Sequence, residues 1–149
     1  MIKFGRLAFL KSDKSGPKKL VIRIPSETSC IKKVSEKVID SVSSYHPDEA
    51  TIFDIKLCIE EAVRNAVVHG NHSEKRKTVT ATSWIDGDSV YITIQDEGMG
   101  YDHTAVPDPT AEHNVLRNSG RGVYLIKKLM DEVVFNASGS SITMKKRLK

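Results

Sequence analysis

The amino-acid sequence predicts an α+β fold, a two-layer sandwich in which a mostly antiparallel mixed sheet carries helices on one face. Segments with strand-like alternation are joined in pairs by short turns, which favours antiparallel pairing. The other patterned segments show the three- and four-residue apolar spacing of helices, and they do not alternate one for one with strands as in a doubly wound fold. The predicted order is strand, helix, helix, hairpin, long loop, helix, hairpin.

The chain has 149 residues, of which 39% are hydrophobic, and this length predicts a single domain, residues 1–149, with its own core. No stretch approaches the roughly 20 apolar residues of a membrane span. The N-terminus is too interrupted by charge to be a secretory signal, so we expect a cytoplasmic protein. The net charge of +4 permits a polyphosphate ligand but does not demand nucleic acid. Cys30 and Cys58 form no CxxC motif, and we expect two buried thiols and no disulfide.

The first strand and the first helix come from residues 19–42. Residues 19–25 alternate apolar and polar side chains and end at a proline, which suits the end of a strand. Ser26 or Thr28 can then cap a helix. Four residues at helical spacing form its buried stripe: Ile31, Val34, Val38 and Val42.

A second, longer helix opens at Pro47 and Asp48 and is expected to stop at Gly70. Its core-facing stripe consists of Ile52, Ile55, Ile59, Ala62 and Ala66.

Polar residues follow this stripe along one edge of the second helix. Glu61, Asn65 and His69 recur at i, i+4 and i+8, so we expect their side chains to stack in a strip. A base, an uncharged oxygen ligand and a second polar group on one helix edge indicate a site. From this stretch alone, a solvated helix flank is an equally good interpretation.

The second half of the chain begins with a hairpin. Residues 79–85 and 90–95 read as its strands, turned at residues 86–88. The second of these strands runs directly into Asp96. Residues 101–119 show no clean period, and a loop of that length in a compact domain is usually functional or mobile.

Residues 120–122 then open a third helix with one apolar face, made by Val123, Ile126 and Met130. Residues 133–135 and 142–144 predict two last strands, turned at residues 138–140. The basic tail, residues 145–149, is expected to be a solvated end.

Several common sites are excluded. No GxxxxGK[ST] sequence is present, which excludes a P-loop, and no serine or cysteine lies in a nucleophile-elbow context. His69 and His72 are three residues apart, but no further ligands nearby support a zinc site.

The remaining motifs fit a nucleotide site built without a P-loop. The carboxylate of Asp96 can accept a hydrogen bond from an exocyclic amine such as that of adenine. Gly98 and Gly100 would let the backbone approach a base and a sugar where a Cβ would clash. Gly120 and Gly122, at a helix start, would present backbone N–H groups to phosphates.

Two residues of the second helix add chemistry to this site. Asn65 is a hard oxygen ligand of the kind that Mg²⁺ takes alongside phosphate oxygens and waters. Glu61, one turn earlier, is placed to act as a general base on a hydroxyl or a water.

Taken in order, these motifs resemble those of the GHKL (Bergerat-fold) ATPases, and within them the small anti-sigma-factor serine/threonine kinases of bacterial partner-switching systems. Residues 61–70 are similar to the N-box of that family. Residues 96–102 resemble its first glycine box, and residues 119–126 with 129–133 resemble its second. The resemblance covers about residues 20–147.

The resemblance implies a role for each motif residue. Glu61 would be the catalytic base, Asn65 the Mg²⁺ ligand and Asp96 the adenine reader, with Gly98, Gly100, Gly120 and Gly122 around the nucleotide. Residues 101–119 would form the ATP lid. Arg117 and Arg121 are both candidates for the γ-phosphate contact, because such a transfer needs a cation there. The sequence departs from the family at Asn118, where relatives often have an arginine.

The implied activity is transfer of the γ-phosphate of ATP to a serine or threonine of a STAS-type antagonist protein. The protein would also sequester a partner, such as a sigma factor, and would form a homodimer without contacting nucleic acid or membrane. The alternative is a nucleotide-sensing module without catalysis, whose lid gates a protein interface. Such a sensor needs Asn65 and Asp96 but not Glu61, so the presence of Glu61 favours catalysis. A detached histidine-kinase catalytic domain is disfavoured because too few residues precede Lys19 for a dimerisation hairpin.

Overall fold

The computed structural model describes residues 16–98 and 118–149, with residues 118–120 described by their backbone alone. The elements are β1 (Leu20–Pro25), α1 (Ile31–Val42), α2 (Glu49–Asn65), β2 (Thr78–Asp86), β3 (Ser89–Gln95), α3 (Asn118–Leu129), β4 (Glu132–Phe135) and β5 (Ser141–Arg147). Short 3₁₀ turns precede and follow α1, and a π-turn (Ala66–Gly70) continues α2. The predicted order of strands and helices is confirmed.

The described part of the chain forms a five-stranded sheet with the order β1-β2-β3-β5-β4. Every strand pair in it is antiparallel, so the α+β prediction is confirmed and the sheet is simpler than the mixed one expected. The register aligns one row of core-facing residues across all five strands: Ile22, Ala81, Ile94, Ile142 and Phe135.

The core lies between this face of the sheet and the helices, whose buried residues join the same cluster as those of the strands. The four stripe residues predicted for α1 are all buried. Helix α2 buries a wider face, made by Ile55, Cys58, Ile59, Ala62 and Val63. Each large side chain buried here stabilises the fold by about 1.5–3 kcal/mol relative to exposure, which fixes the helices on the sheet. No helix in residues 16–98 or 118–149 is long and apolar enough to cross a membrane.

The two helix starts differ from each other. Asp48 lies at the predicted start of α2 and caps the helix, because its Oδ1 accepts a hydrogen bond of 2.8 Å from the amide of Thr51. That bond holds the pKa of Asp48 below its ordinary value. The cap predicted for the first helix is wrong: a 3₁₀ turn leads into α1, and the hydroxyl of Ser26 instead donates to the carbonyl of Lys77 at 2.7 Å. Ser26 is buried at the end of the sheet, so its hydroxyl serves a tertiary contact.

The basic tail is not a solvated end. Strand β5 extends through residues 145–147, and the side chain of Leu148 is only 1% exposed. The amide of Leu148 donates to the carbonyl of Asp88 at 2.8 Å, which ties the tail to the turn between β2 and β3. That turn has a positive φ at Gly87, its first residue, as type II′ hairpin turns require.

Lys146 also points towards the helices, because it lies in register with the fully buried Val90 on β3. Its ammonium donates to Asp54 Oδ2 at 3.1 Å and to the carbonyl of Leu129 at 2.6 Å. We call this cluster of Lys146, Asp54 and Leu129 the lysine anchor. It joins β5 to α2 and to the end of α3.

The two cysteines occupy different environments. Cys58 is fully buried in α2, and burial raises the pKa of its thiol to about 12. Cys30 is only half-buried, so the prediction of two buried thiols holds for Cys58 alone. Neither forms a disulfide, as predicted.

Candidate functional site

The winding of α2 changes at its C-terminal end. Residues Ala66–Gly70 form a π-turn, in which the amide of Asn71 donates to the carbonyl of Ala66 at 2.8 Å. Bonds from i to i+5 alter the angular step that the predicted polar strip depended on. His69, the third member of that strip, is exposed, while Glu61 and Asn65 remain one α-helical turn apart. The structure thus keeps two of the three strip residues together.

Glu61 is held between two neighbours. Its Oε2 lies 3.1 Å from Nη1 of Arg64, and its side chain is 24% exposed. Its Oε1 faces Gly122 of α3, where an added Cβ would lie 2.8 Å from Oε1 and 3.4 Å from Nδ2 of Asn65. A side chain at position 122 would therefore displace the Glu61 carboxylate from this position.

This contact changes the interpretation of Gly122. It is the fifth residue of α3, and in an α-helix the amide of the fifth residue bonds to the carbonyl of the first. Gly122 therefore provides close helix packing, whereas the sequence predicted an amide available to phosphates. Gly120 does lie in the first turn, where amides have no partner within the helix.

Asp96 follows β3 directly, and three contacts fix it. Its amide donates to the carbonyl of Ser140 at 3.0 Å, and its Oδ1 accepts from the amide of Gly98 at 2.8 Å. Its Oδ2 lies so close to Gly70 that a Cβ there would overlap the carboxylate. Partial burial raises the pKa of Asp96, and the hydrogen bond from Gly98 opposes this shift.

Gly98 is needed for a similar reason. A Cβ on Gly98 would overlap the carbonyl oxygen of Gly70. The sequence predicted a glycine that lets the backbone approach a ligand, and the structure shows a close approach between two segments of the protein itself. Gly70 and Gly98 thus let the Asp96 turn, residues 96–98, lie against the end of the π-turn.

An open pocket lies beside Asp96, between α2, α3 and the sheet. Its walls are mostly apolar, with Asn65 and Asp96 among the few polar groups, which is the composition of a small-molecule site. Part of the wall comes from residues to which the sequence assigned no function: Phe135, Gly139, Ser140 and Ser141. The pairing of Ser141 with Gln95 brings these residues beside Asp96, and a sequence pattern does not reveal such a register.

Asn71 is the main residue that sequence reasoning missed. Its side chain is fully buried, and its Nδ2 donates to Oγ of Ser26 at 2.9 Å and to the carbonyl of Thr78 at 3.2 Å. Its Oδ1 accepts from the amide of Glu97 at 2.8 Å. The only signal in the sequence is an asparagine directly after the glycine that ends a helix.

Of the remaining predicted site residues, the structure describes Arg121. Arg121 is exposed in the first turns of α3. Gly100, Arg117 and most of the predicted lid lie outside the described residues. Among the residues that the structure describes, no group of three or more His, Cys, Asp or Glu side chains could hold a metal ion.

Comparison with known proteins places the chain in a family. Residues 24–146 match the model of the histidine kinase-like ATPase domain, and the chain belongs to this family. The GHKL-type resemblance inferred from the three motifs is therefore confirmed.

Individual relatives agree with this assignment. The chain is 33% identical over 129 residues to an anti-sigma F factor of Oceanobacillus iheyensis, which covers 83% of this chain and 86% of that protein. It is 35% identical over 106 residues to the serine-protein kinase RsbW of Staphylococcus epidermidis, covering 66% of this chain and 67% of the relative.

A solved structure has the same fold. The crystal structure of the RsbU and RsbW domains of Rv1364c from Mycobacterium tuberculosis superposes with a TM-score of 0.61 at 20% identity. The match covers 88% of this chain and 32% of that longer one.

Proposed function

We propose that this protein is an ATP-dependent serine/threonine kinase of the anti-sigma type, which phosphorylates an antagonist protein and sequesters a partner regulator. One observation carries the proposal: Asp96 lines an apolar pocket next to the junction where Glu61 and Asn65 of α2 meet Gly122 of α3. The three residues to which we assign base recognition, metal binding and proton abstraction therefore lie near one another at the C-terminal end of α2. The names of the relatives, anti-sigma F factor and serine-protein kinase, support the same activity.

The pocket suits adenine. Its apolar walls can cover the faces of a planar base, and the carboxylate of Asp96 can accept a hydrogen bond from the exocyclic amine. Guanine has a carbonyl at the corresponding position, which a carboxylate repels. We therefore expect ATP to bind more tightly than GTP.

The residues present fit a Mg²⁺ ion that keeps several of its water ligands. Asn65 offers one hard oxygen, and no hydrogen bond joins its side chain to another described residue. Mg²⁺ is commonly held by one or two protein oxygens together with phosphate oxygens and waters, so a site without an acidic cluster is sufficient. When bound, the ion would supply neutralisation of the phosphate charge.

Glu61 would act as the general base. Its carboxylate accepts the proton of the substrate hydroxyl while that oxygen forms a bond to the γ-phosphorus. The bond between the γ-phosphorus and the bridging oxygen breaks, and ADP leaves. The contacts of Glu61 with Arg64 and Gly122 fix the direction of its carboxylate before the substrate arrives. Arg117 and Arg121 remain the two candidates for a cation at the γ-phosphate.

The partners belong to the same proposal. We expect a STAS-type antagonist as the phosphate acceptor and a sigma factor, or a regulator of that type, as the sequestered partner. We also expect a homodimer in the cytoplasm, with residues 1–149 forming one kinase domain.

The proposal can be tested with purified protein, Mg-ATP and a STAS-type antagonist encoded near it. Mass spectrometry of the antagonist should show one phosphorylated serine or threonine, and calorimetry should show ATP binding that prefers adenine and is lost in Asp96→Asn. Binding of ATP without transfer to any such antagonist would favour the nucleotide-sensing module instead. If the folded protein bound no ATP, the assignment of the pocket itself would be wrong.

A further inference from the structure

Asn71 presents an amide that is fully buried and yet satisfied on both sides. Thr78 contributes a carbonyl, which can only accept, and Glu97 contributes an amide, which can only donate. These two partners fix which end of the Asn71 side chain is nitrogen and which is oxygen. Nδ2 donates its second hydrogen to Oγ of Ser26, and the hydroxyl of Ser26 in turn donates to the carbonyl of Lys77. A buried network in which each of these bonds is made is rigid, since any rotation of the amide would leave a polar group without a partner.

The Asn71 side chain acts on the residue next to Asp96. The amide that its Oδ1 holds belongs to the peptide joining Asp96 to Glu97, so the bond fixes the orientation of the backbone directly after Asp96. On the other side, the backbone of Gly70 contacts both the carboxylate of Asp96 and Gly98. The Asp96 turn therefore packs against residues 70 and 71, and the Asn71 side chain bonds to its backbone.

We propose that Asn71 is a positioning residue that aims the Asp96 carboxylate into the pocket and thereby sets the preference for adenine. This inference rests on the proposed function as an ATP-dependent kinase. The physical reason is that a hydrogen bond weakens steeply as its angle departs from linear, so the strength of base recognition depends on the direction of the carboxylate. Asn71 controls that direction without touching the base.

The chain offers a matched control. Ser26 is 2% exposed, belongs to the same network and bonds to Asn71, but within the described part of the chain none of its hydrogen bonds reaches the Asp96 turn. Asn71→Ala and Ser26→Ala both leave buried polar groups without partners, so both should lower stability. Only Asn71→Ala removes the bond to the amide of Glu97. A difference between the two variants therefore separates positioning from general support.

Two readouts decide the question. The first is residue-resolved amide hydrogen exchange, in which the amide of Glu97 should be protected in the wild type and in Ser26→Ala but not in Asn71→Ala. The second is calorimetry with ATP and with GTP at a temperature where each variant is folded. We expect Asn71→Ala to lose about tenfold in ATP affinity, or 1.4 kcal/mol, with a smaller change for GTP. Ser26→Ala should keep the wild-type ratio of the two affinities.

Three results of these two experiments would lead to different conclusions. An unprotected Glu97 amide in the wild type would overturn the inference, and this measurement needs no variant to fold. An unchanged ATP-to-GTP ratio in Asn71→Ala would also overturn it and leave Asn71 with a stabilising role alone. If the wild type binds no nucleotide while Glu97 is protected as expected, the proposed function fails and the contact between Asn71 and the Asp96 turn stands.

Discussion

The two ends of α2 are attached to the rest of the molecule by different kinds of polar contact. Near the N-terminal end, the lysine anchor joins Asp54 to Lys146, and their side chains keep 22% and 15% of their surface exposed. At the C-terminal end, just past the π-turn, the neutral side chain of Asn71 is fully buried. Charged groups lose a large hydration energy on burial, whereas a neutral amide can be enclosed completely once its hydrogen bonds are made.

The two ends of α2 therefore have different roles. The N-terminal end attaches the helix to the rest of the fold, and the C-terminal end lies at the candidate site. The lysine anchor holds α2 against β5 and the end of α3, far along the helix from the pocket residues Ala62 and Asn65. The Asn71 contacts lie beside Asp96, which lines the pocket. Changes at the first end should alter stability with little effect on nucleotide binding, and changes at the second end should alter both.

The largest expected effect concerns Glu61, at the functional end. Glu61→Gln keeps the size of the side chain but removes the base, so phosphoryl transfer should fall by roughly 10²–10⁴-fold. ATP affinity and the free energy of unfolding should stay close to those of the wild type. Single-turnover transfer to the antagonist measures the first, and calorimetry and urea unfolding measure the others.

Glu60 provides the control for this experiment. It precedes Glu61, and its Oε2 accepts a hydrogen bond of 2.7 Å from Ser35, which a glutamine can also accept. Glu60→Gln should therefore transfer phosphate at nearly the wild-type rate. Equal losses in the two variants would remove Glu61 from the role of base.

A smaller effect is expected from two glycine substitutions, Gly98→Ala in the Asp96 turn and Gly87→Ala in the turn between β2 and β3. Gly98→Ala forces a Cβ into the backbone of Gly70, which should cost roughly 1–3 kcal/mol and weaken ATP binding because the Asp96 turn must move. Gly87→Ala has no atom within 4 Å of the new Cβ but a φ of +65°, so its cost of roughly 1–2 kcal/mol comes from the left-handed backbone alone. Urea unfolding and ATP titration of both variants should show similar stability losses and a binding defect only in Gly98→Ala. A binding defect of equal size in both would contradict the separation.

Lys146→Met tests the N-terminal end of α2, where the lysine anchor lies. Removing the ammonium leaves Asp54 without its partner, and because the pair is partly solvated we expect roughly 1–3 kcal/mol of lost stability, below the 3–5 kcal/mol of a fully buried pair. ATP affinity should not change. Lys145→Met is the matched control, since Lys145 pairs with the exposed Glu132 at 3.2 Å and such surface pairs contribute about 0–1 kcal/mol. A loss of ATP affinity in Lys146→Met would show that the two ends of α2 are coupled.

The smallest expected effect is a pH dependence at Asp96. Burial raises the pKa of this carboxyl above its ordinary value of 3.8, so ionisation is disfavoured in the folded state. The wild type therefore loses stability relative to Asp96→Asn as the pH rises from 3.8 through the raised pKa. Urea unfolding of the nucleotide-free proteins should show the variant to be the more stable at pH 7, with the gap closing as the pH falls. A gap that widens on acidification would mean that the carboxylate is stabilised in the fold.

The sequence predicted the strands and helices, the start of α2 and the spacing of Glu61 and Asn65, because these depend on local spacing. The alternation in β3 and the apolar stripe of α1 require no knowledge of the rest of the chain. Asp48 caps α2 through a residue three positions away, and Glu61 and Asn65 are one helical turn apart. Such features follow from the geometry of a single element.

The errors concern residues whose role depends on distant segments. Asn71 bonds to Ser26 and to Glu97, 45 and 26 residues away, and a polar residue in a turn gives no sign of such burial. The contact of Gly122 with Glu61 likewise depends on how α3 packs against α2. The basic composition of the tail predicts a solvated end, but the register of β5 turns Lys146 towards the helices.

The strand order also has a consequence for folding kinetics. Among the strand pairs formed by residues 16–98 and 118–149, only β2–β3 and β4–β5 are local hairpins. The pair β3–β5 aligns Gln95 with Ser141 and must close a long stretch of chain. Asp96 stands at that non-local junction, so the pocket should be complete only after the slow, high-contact-order step of folding. A nucleotide that requires the finished pocket cannot stabilise the transition state that precedes it. We therefore expect ATP to slow unfolding while leaving the folding rate nearly unchanged.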